Sequence, residues 1–474
     1  MYTKNTKLVC TLGPATSSVK KITALIKAGM NVARLNFSHG DYEGHTRLIE
    51  NIRKAETETG KRVAIMQDLQ GPKIRIGKMP EKGITVKKDQ LITMTVKEIT
   101  GEEKNGKIII PVRHKGLIKD AKKGKNLLID DGLIETEILK VSKTNVLCKV
   151  KFGGKIESGN GVNLPLSKIS IETITPKDKK DLKFGLKNKV EFIALSFVKS
   201  AKDIKALRKL MGEKNSDVRI VAKIERHEAI KNLKEIIHAA DAVMVARGDL
   251  GTDIPAEKVP IVQKRMITLA NSMGKPVITA TQVLQSMVKS PRPTRAEVSD
   301  AATAVFDHSD AIMLSNETAV GKYPVKAVST LKRVALSVEK ELQKHEELQE
   351  YILNKHYISP VNATCLNACE LAMDYGADYI VVYSEDGYTA NNVAKHRIYI
   401  PIITITPHEK TARRLMMTWG INDVFVEEMP KDSNEKIKAI LALLKEKKVV
   451  KKNNKLVIVC NASKRESLIS TIKI

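Results

Sequence analysis

Short apolar runs alternate with amphipathic stretches over most of the chain. Lys7–Thr11 (KLVCT), Val32–Phe37, Val63–Leu69 (VAIMQDL), Phe192–Val198, Ile220–Ile224, Ala242–Ala246, Pro276–Gln282 and Ala311–Leu314 are mostly apolar. They read as strands covered on both faces, as in a parallel sheet. Between the first two, SSVKKITALIKAGM spaces its apolar residues as a helix does, with a serine to start it and a glycine to stop it. Eight strand–helix units predict an α/β chain built on a TIM (β/α)8 barrel.

The rhythm breaks at Gln70. From there to Leu166 no long helix is predicted. Segments such as ITVKKDQLITMTV, LIETEILKV and VLCKVKF alternate instead, punctuated by Gly and Asp-Gly. They predict a small antiparallel β-barrel domain inserted after the third strand. Between the seventh and eighth strands, the prolines of SPRPTRAEVSD hold off helix until Thr294. Val325 to about Leu353 reads as a long charged helix. An α/β domain follows from about Pro360, with strands at Tyr379–Tyr383, Pro401–Ile405, VFVEE and LVIVC. The expected domains are a barrel over 1–69 and 167–345, an inserted lid over 70–166 and a C-terminal α/β domain over 346–474.

Polar residues cluster where the fifth and sixth strands finish, within IVAKIERHEAIKNLKEIIHAADAVMVARGDLGTDIP. In parallel α/β folds that edge binds ligands. Lys223 and Glu225 are two apart on a strand, so they share a face. Asp249 follows the next strand. Two carboxylates with open positions suit Mg2+ (or Mn2+), which keeps waters and completes its shell from substrate. An ammonium beside such an ion suits a phosphoryl group or an enolate. Gly248 permits close backbone approach, and PAEKV opens a helix whose amides can hold a carboxylate. The plain alternative is a salt-bridge layer inside the barrel. Arg-Gly-Asp-Leu-Gly one strand later weighs against it.

Composition narrows the field. Hydrophobic residues make up 42% of the chain and aromatics 4%, so the core is mainly aliphatic. No apolar run approaches ~18 residues, which argues against a membrane span. The polar start runs straight into a strand, so no secretory signal is expected. The net charge of +27 invites a nucleic-acid partner. The lysines are spread along the chain, however, and are not interleaved with aromatics. They read as a solvated surface that steers small anions, and no nucleic-acid face is expected. Cys10, Cys148, Cys365, Cys369 and Cys460 show no metal or redox spacing, which implies reduced thiols and the cytoplasm. No Walker-type phosphate loop occurs.

CTLGPAT, MNVARLNFSHG, DLQGPKIR, GVNLPL, IVAKIERHEAI, VMVARGDLG, PAEKV, ATQVLQSM, PRPTRAEVSD and LSNETAVGKYP occur in this order. On these blocks the chain resembles the pyruvate kinase family along nearly its whole length. The resemblance implies phosphoryl transfer from phosphoenolpyruvate to ADP, giving ATP and pyruvate. It also implies a C-terminal domain for effectors and oligomerisation, and a homotetramer. Arg34 matches the substrate-phosphate arginine, a task that suits a guanidinium fork. Lys223 matches the lysine that stabilises charge on the transferring phosphoryl group and the enolate. Glu225 and Asp249 match the Mg2+ ligands, and Gly248 the backbone amides around the carboxylate. Thr281 matches a substrate-binding threonine and Ser315 a proton-relay serine. Arg75 and Lys177 match nucleotide contacts. Asn36, Ser38, Asp68 and Leu69 fall on the positions of a monovalent cation, K+.

Three departures stand out. Where many members read Asp-Thr-Lys-Gly-Pro-Glu-Ile-Arg, this chain reads Asp68-Leu69-Gln70-Gly71-Pro72-Lys73-Ile74-Arg75. The Lys73 ammonium can supply tethered charge where K+ would sit, so little K+ requirement is expected. Asn316 replaces the usual glycine after Ser315. The effector loop reads Ser384–Thr389 (SEDGYT), and its two carboxylates make fructose 1,6-bisphosphate an unsuitable activator. Two readings compete. One is another Mg2+-enolate barrel, such as a carbon–carbon lyase, which would not need Arg75, Lys177 or the lid. The other is secondary nucleic-acid binding by the basic surface.

Overall fold

All eight predicted runs become strands, and they close on each other. A computed structural model describes residues 4–167, 169–344, 360–463 and 466–474. Lys7–Thr11, Val32–Asn36, Ala64–Asp68, Phe192–Leu195, Arg219–Ile224, Ala242–Ala246, Val277–Ala280 and Ala311–Leu314 each pair in parallel with the next. The last pairs with the first, which completes the barrel. Val9, Val32, Met66, Val221, Met244, Ile278 and Met313 fill its interior. Their strand neighbours Leu8, Leu35, Ile65, Ala222, Val245 and Ile312 face the helix layer. Burying each larger aliphatic side chain contributes about 1.5–3 kcal/mol. The fourth and seventh strands stop earlier than expected. Phe197, Thr281 and Gln282 have φ of 56°, 73° and 53°, and left-handed backbone cannot continue a ladder.

The lid differs from its expectation in one respect. Leu91–Thr95 and Lys107–Pro111 pair in parallel, not antiparallel. The cause is the edge strand Glu102–Lys104, which reverses the chain before Lys107–Pro111 returns. Two isolated bridges, Arg75 with Gly161 and Ile76 with Val112, tie the segment entering the lid to its seven-stranded sheet.

In the C-terminal domain, four parallel strands run in the order Ile421–Val426, Ile402–Thr406, Tyr379–Tyr383, Lys455–Ser463. A fifth, Glu466–Lys473, adds antiparallel to the last. That strand and the helix Ser433–Glu446 were not expected from the pattern. The long helix is seen over Pro324–Lys344, and its predicted remainder lies outside the described residues. No described helix is long and apolar enough to cross a membrane.

Arg397 ties this domain to the barrel. Its buried guanidinium pairs with Asp310 at 2.8 and 3.1 Å. It also donates to Asn271 Oδ1 and to the His308 carbonyl, and it lies over the Trp419 ring. Removing one partner of such a pair leaves a buried charge without its counter-ion. Arg397→Met is therefore expected to cost about 3–5 kcal/mol, read as a lowered Tm by calorimetry.

One buried histidine, His396, and one half-buried histidine, His308, give stability a pH dependence. Burial pushes His308 and His396 down from 6.5 to about 4. Both rings are neutral in the folded chain, and neither nitrogen of His396 has a partner. The unfolded chain protonates these rings below about pH 6.5, so their contribution is complete above that pH and is lost as pH falls toward 4. Tm should drop across this window, and His396→Leu should flatten part of the drop. An unaltered slope in that variant would contradict the assignment.

Candidate active site

The site begins with a buried carboxylate. Asp68 ends the third strand and is 1% exposed. Arg34, from the second strand, reaches its Oδ2 through Nε at 2.7 Å. Lys223, from the fifth, reaches its Oδ1 at 3.1 Å. Burial opposes the charge on Asp68, but Lys223 and Arg34 hold its carboxyl below the usual range. Arg34 also donates to Thr11 Oγ1 at 2.9 Å. Lys223 Nζ lies 3.0 Å from Glu225 Oε1 and 2.6 Å from Ser196 Oγ. Burial works against its ammonium, yet Asp68 and Glu225 outweigh burial and push the lysine up. Lys223 therefore stays charged.

Glu225 is 1% exposed and takes the Phe197 amide on Oε2 at 2.6 Å. Burial pushes its carboxyl up, and the nearby Asp249 adds to that. Two hard-oxygen carboxylates that repel each other fit a divalent cation. Both already attract side-chain cations, Lys223 on Glu225 and Lys73 on Asp249 at 3.2 Å. Among the described residues no group of three or more His, Cys, Asp or Glu is placed to hold a metal. Such an ion would take the rest of its shell from water and substrate.

The Asp249 segment is not the simple turn the sequence indicated. Arg247–Asp253 is a short helix, and PAEKV becomes a 3-10 turn, Ala256–Lys258, before the helix Val259–Ser272. The Gly248 amide donates to Thr281 Oγ1 at 2.8 Å. Arg247 grips Asp300 with both terminal nitrogens, at 2.6 and 2.7 Å, and donates to the Ala280 and Thr281 carbonyls. The Thr281 loop is thus pinned to the Asp249 helix. Glu317, fully buried, receives the Leu284 and Ser315 amides and fixes the loop that presents Ser315. Ser315, Asn316, Arg34, Asn36, His39 and Pro14 line one cavity of about 740 Å3 beside this cluster.

Of the remaining expected residues, Leu69 joins the central network through Ser196, and the others sit apart from it. Arg75 donates to the Gly159 carbonyl at the base of the lid. Lys177 donates to the Phe37 carbonyl at 2.7 Å and pairs with Asp181. Asn36 Oδ1 accepts the Ser38 amide, and the Leu69 carbonyl accepts Ser196 Oγ. Lys73 corrects one expectation: its ion pairs are with Asp249 and Asp131, not with Asp68 in the monovalent-cation set. Sequence reasoning missed Ser196, Thr11, Asp300 and the role of Glu317. Ser196 and Thr11 lie at or just past strand ends, the one signal that could have found them. In the Ser384–Thr389 loop, the Glu385 carbonyl accepts from the Thr406 and Thr411 hydroxyls, and Asp386 Oδ1 accepts from the Tyr388 amide.

The family model "Pyruvate kinase, barrel domain" matches residues 3–328, and "Pyruvate kinase, alpha/beta domain" matches 362–474. A pyruvate kinase of Geobacillus stearothermophilus is 44% identical over 430 residues, covering 90% of this chain and 72% of the relative. One of Staphylococcus saprophyticus is 44% identical over 427 residues, with the same coverage. The crystal structure of a pyruvate kinase from Cryptosporidium parvum superposes with a TM-score of 0.90 at 35% identity, covering 99% of this chain and 96% of that one.

Proposed function

Because this chain belongs to the pyruvate kinase family, we propose that its strand-end cluster supplies the groups for phosphoryl transfer from phosphoenolpyruvate to ADP. In that reaction a β-phosphate oxygen of ADP attacks phosphorus and the enol P–O bond breaks. The enolate left behind takes a proton and becomes pyruvate. Arg34 holds the phosphoryl oxygens through its fork. Lys223 neutralises charge as it moves from the phosphoryl group to the enolate oxygen. Its carboxylate neighbours keep it protonated and aimed. The Gly248 amide and Thr281 hydroxyl receive the substrate carboxylate. Ser315 relays the proton to the enolate.

The family uses a divalent metal, and Glu225 and Asp249 would hold it, as Mg2+ or Mn2+. When bound it supplies charge neutralisation for substrate oxygens. Arg75 and Lys177 would contact the nucleotide. We take the working division as barrel 1–69 with 167–345, lid 70–166 and C-terminal domain 346–474. A cytoplasmic homotetramer is the assembly this reading implies, and the five buried thiols are consistent with a reducing compartment.

The observation that carries the reading is Lys223 bridging Asp68, Glu225 and Ser196 beside Arg34. A coupled assay for pyruvate from phosphoenolpyruvate and ADP tests it. Lys223→Met should lower turnover by ~10²–10³ while Mn2+ binding persists. Near-normal turnover in that variant would sink the role.

We also propose that catalysis needs little or no K+. Of the residues on the monovalent-cation positions, both Asp68 oxygens, Asn36 Oδ1 and the Leu69 carbonyl each hold a protein partner. Lys73 keeps a tethered positive charge in the same cleft. Initial rates in K+-free, NH4+-free buffer should stay flat on adding K+. A rise of tenfold or more, about 1.4 kcal/mol of barrier, would refute this.

A further inference from the structure

Lys73 stands on the hinge into the lid. Its ammonium lies 3.2 Å from Asp249 Oδ1 on the barrel and 3.5 Å from Asp131 Oδ1 on the lid. One side chain therefore joins three parts of the chain. The two arms are unequal. Lys73 and Asp249 side chains are 22% and 26% exposed, whereas Asp131 is 72% exposed, so water screens the lid arm more.

The lid end is firmly built. Asp130 and Asp131 are consecutive left-handed residues, at φ of 55° and 52°, in a turn closed by the Leu133 amide on the Asp130 carbonyl. Asp130 is held in turn by Asn160 Nδ2 at 2.9 Å and by its own amide on the Gly161 carbonyl. Room for the Lys73 stem comes from Gly161, where an added Cβ would stand 3.0 Å from Lys73 Cε.

We propose that Lys73 is an internal counter-cation and lid latch: when no divalent cation is bound, its ammonium holds Asp249 and draws Asp131 of the lid to the barrel, and a divalent cation arriving at Glu225 and Asp249 displaces it and releases the lid turn. This rests on the reading of Glu225 and Asp249 as the metal ligands. An ammonium and a divalent cation crowded onto one carboxylate in a part-buried cleft repel each other strongly. The lysine therefore competes with the metal and lowers its apparent affinity. It also relieves the repulsion between Asp249 and Glu225 when the metal is away. The site is thereby coupled to the lid before any substrate enters.

The test uses the full chain without phosphoenolpyruvate or ADP. Mn2+ binding is followed by the electron paramagnetic resonance of free Mn2+ for the native chain, Lys73→Met and Asp249→Asn. Amide exchange is followed at Asp130, Leu133 and Val162, with and without Mn2+. Lys73→Met should bind Mn2+ about fivefold more tightly. In the native chain Mn2+ should speed exchange at these amides. In Lys73→Met, and in Asp131→Asn, exchange should be fast from the start and indifferent to Mn2+. Equal affinity in the native chain and Lys73→Met, with Asp249→Asn weaker, overturns the latch and leaves the metal reading standing. Unchanged affinity in Asp249→Asn overturns the metal reading and the latch with it. Slower exchange on adding Mn2+ to the native chain also overturns the latch.

Discussion

The charge on Asp68 has to be compensated, and much else in the molecule follows from that. A carboxylate this deeply buried is tolerable only with cations in contact. Arg34 and Lys223 provide them, from the strands on either side of the third and fourth. The parallel order of the second, third, fourth and fifth strands brings those three ends together. On the proposed assignment, the cations that stabilise Asp68 are also the ones a phosphoryl group and an enolate need. Substrate therefore enters a field that folding has already assembled, so little reorganisation remains for the chemical step.

Around that centre the loops are fixed by polar contacts more than by apolar packing. Asp300 holds Arg247, Glu317 holds the Ser315 and Leu284 amides, and Ser196 links Lys223 to the Leu69 carbonyl. Each removes a freedom that would otherwise blur the geometry. The lid is held differently. Near Lys73 its ties to the barrel are a pair of ion contacts, one well exposed, and a hydrogen bond from Asn163 to Thr252. The Asp68 cluster sits on barrel strand ends, whereas Lys73 sits where the chain enters the lid.

What the sequence disclosed follows the range of the interactions involved. Barrel strands were legible because burial on both faces writes an apolar run into the local sequence. Lys223, Glu225 and Asp249 were legible because strand ends are where polar residues cannot be explained by the core. The parallel pair in the lid was not, since it depends on how an edge strand at Glu102–Lys104 reverses the chain. The partners of Lys73 were hidden for a similar reason: a hinge side chain points wherever the lid is placed. Ser196, Asp300 and Glu317 are common residue types whose importance lies in distant backbone amides or side chains. The final strand, ESLISTIK, is mixed in polarity and forms because Lys455–Ser463 offers an edge to pair with.

The interruption after the third strand bears on how the chain folds. Ala64–Asp68 must pair with Phe192–Leu195, and the whole lid lies between them in sequence. Closing so long a loop as loose coil carries an entropic cost before any barrel contact repays it. A lid that first collapses on its own aliphatic core brings its two stems together, since Arg75 bridges Gly161 near the point of departure and return. The barrel then joins its halves across a short gap. On this view the lid acts during synthesis as a splint, and its own folding sets how soon the third and fourth barrel strands can meet.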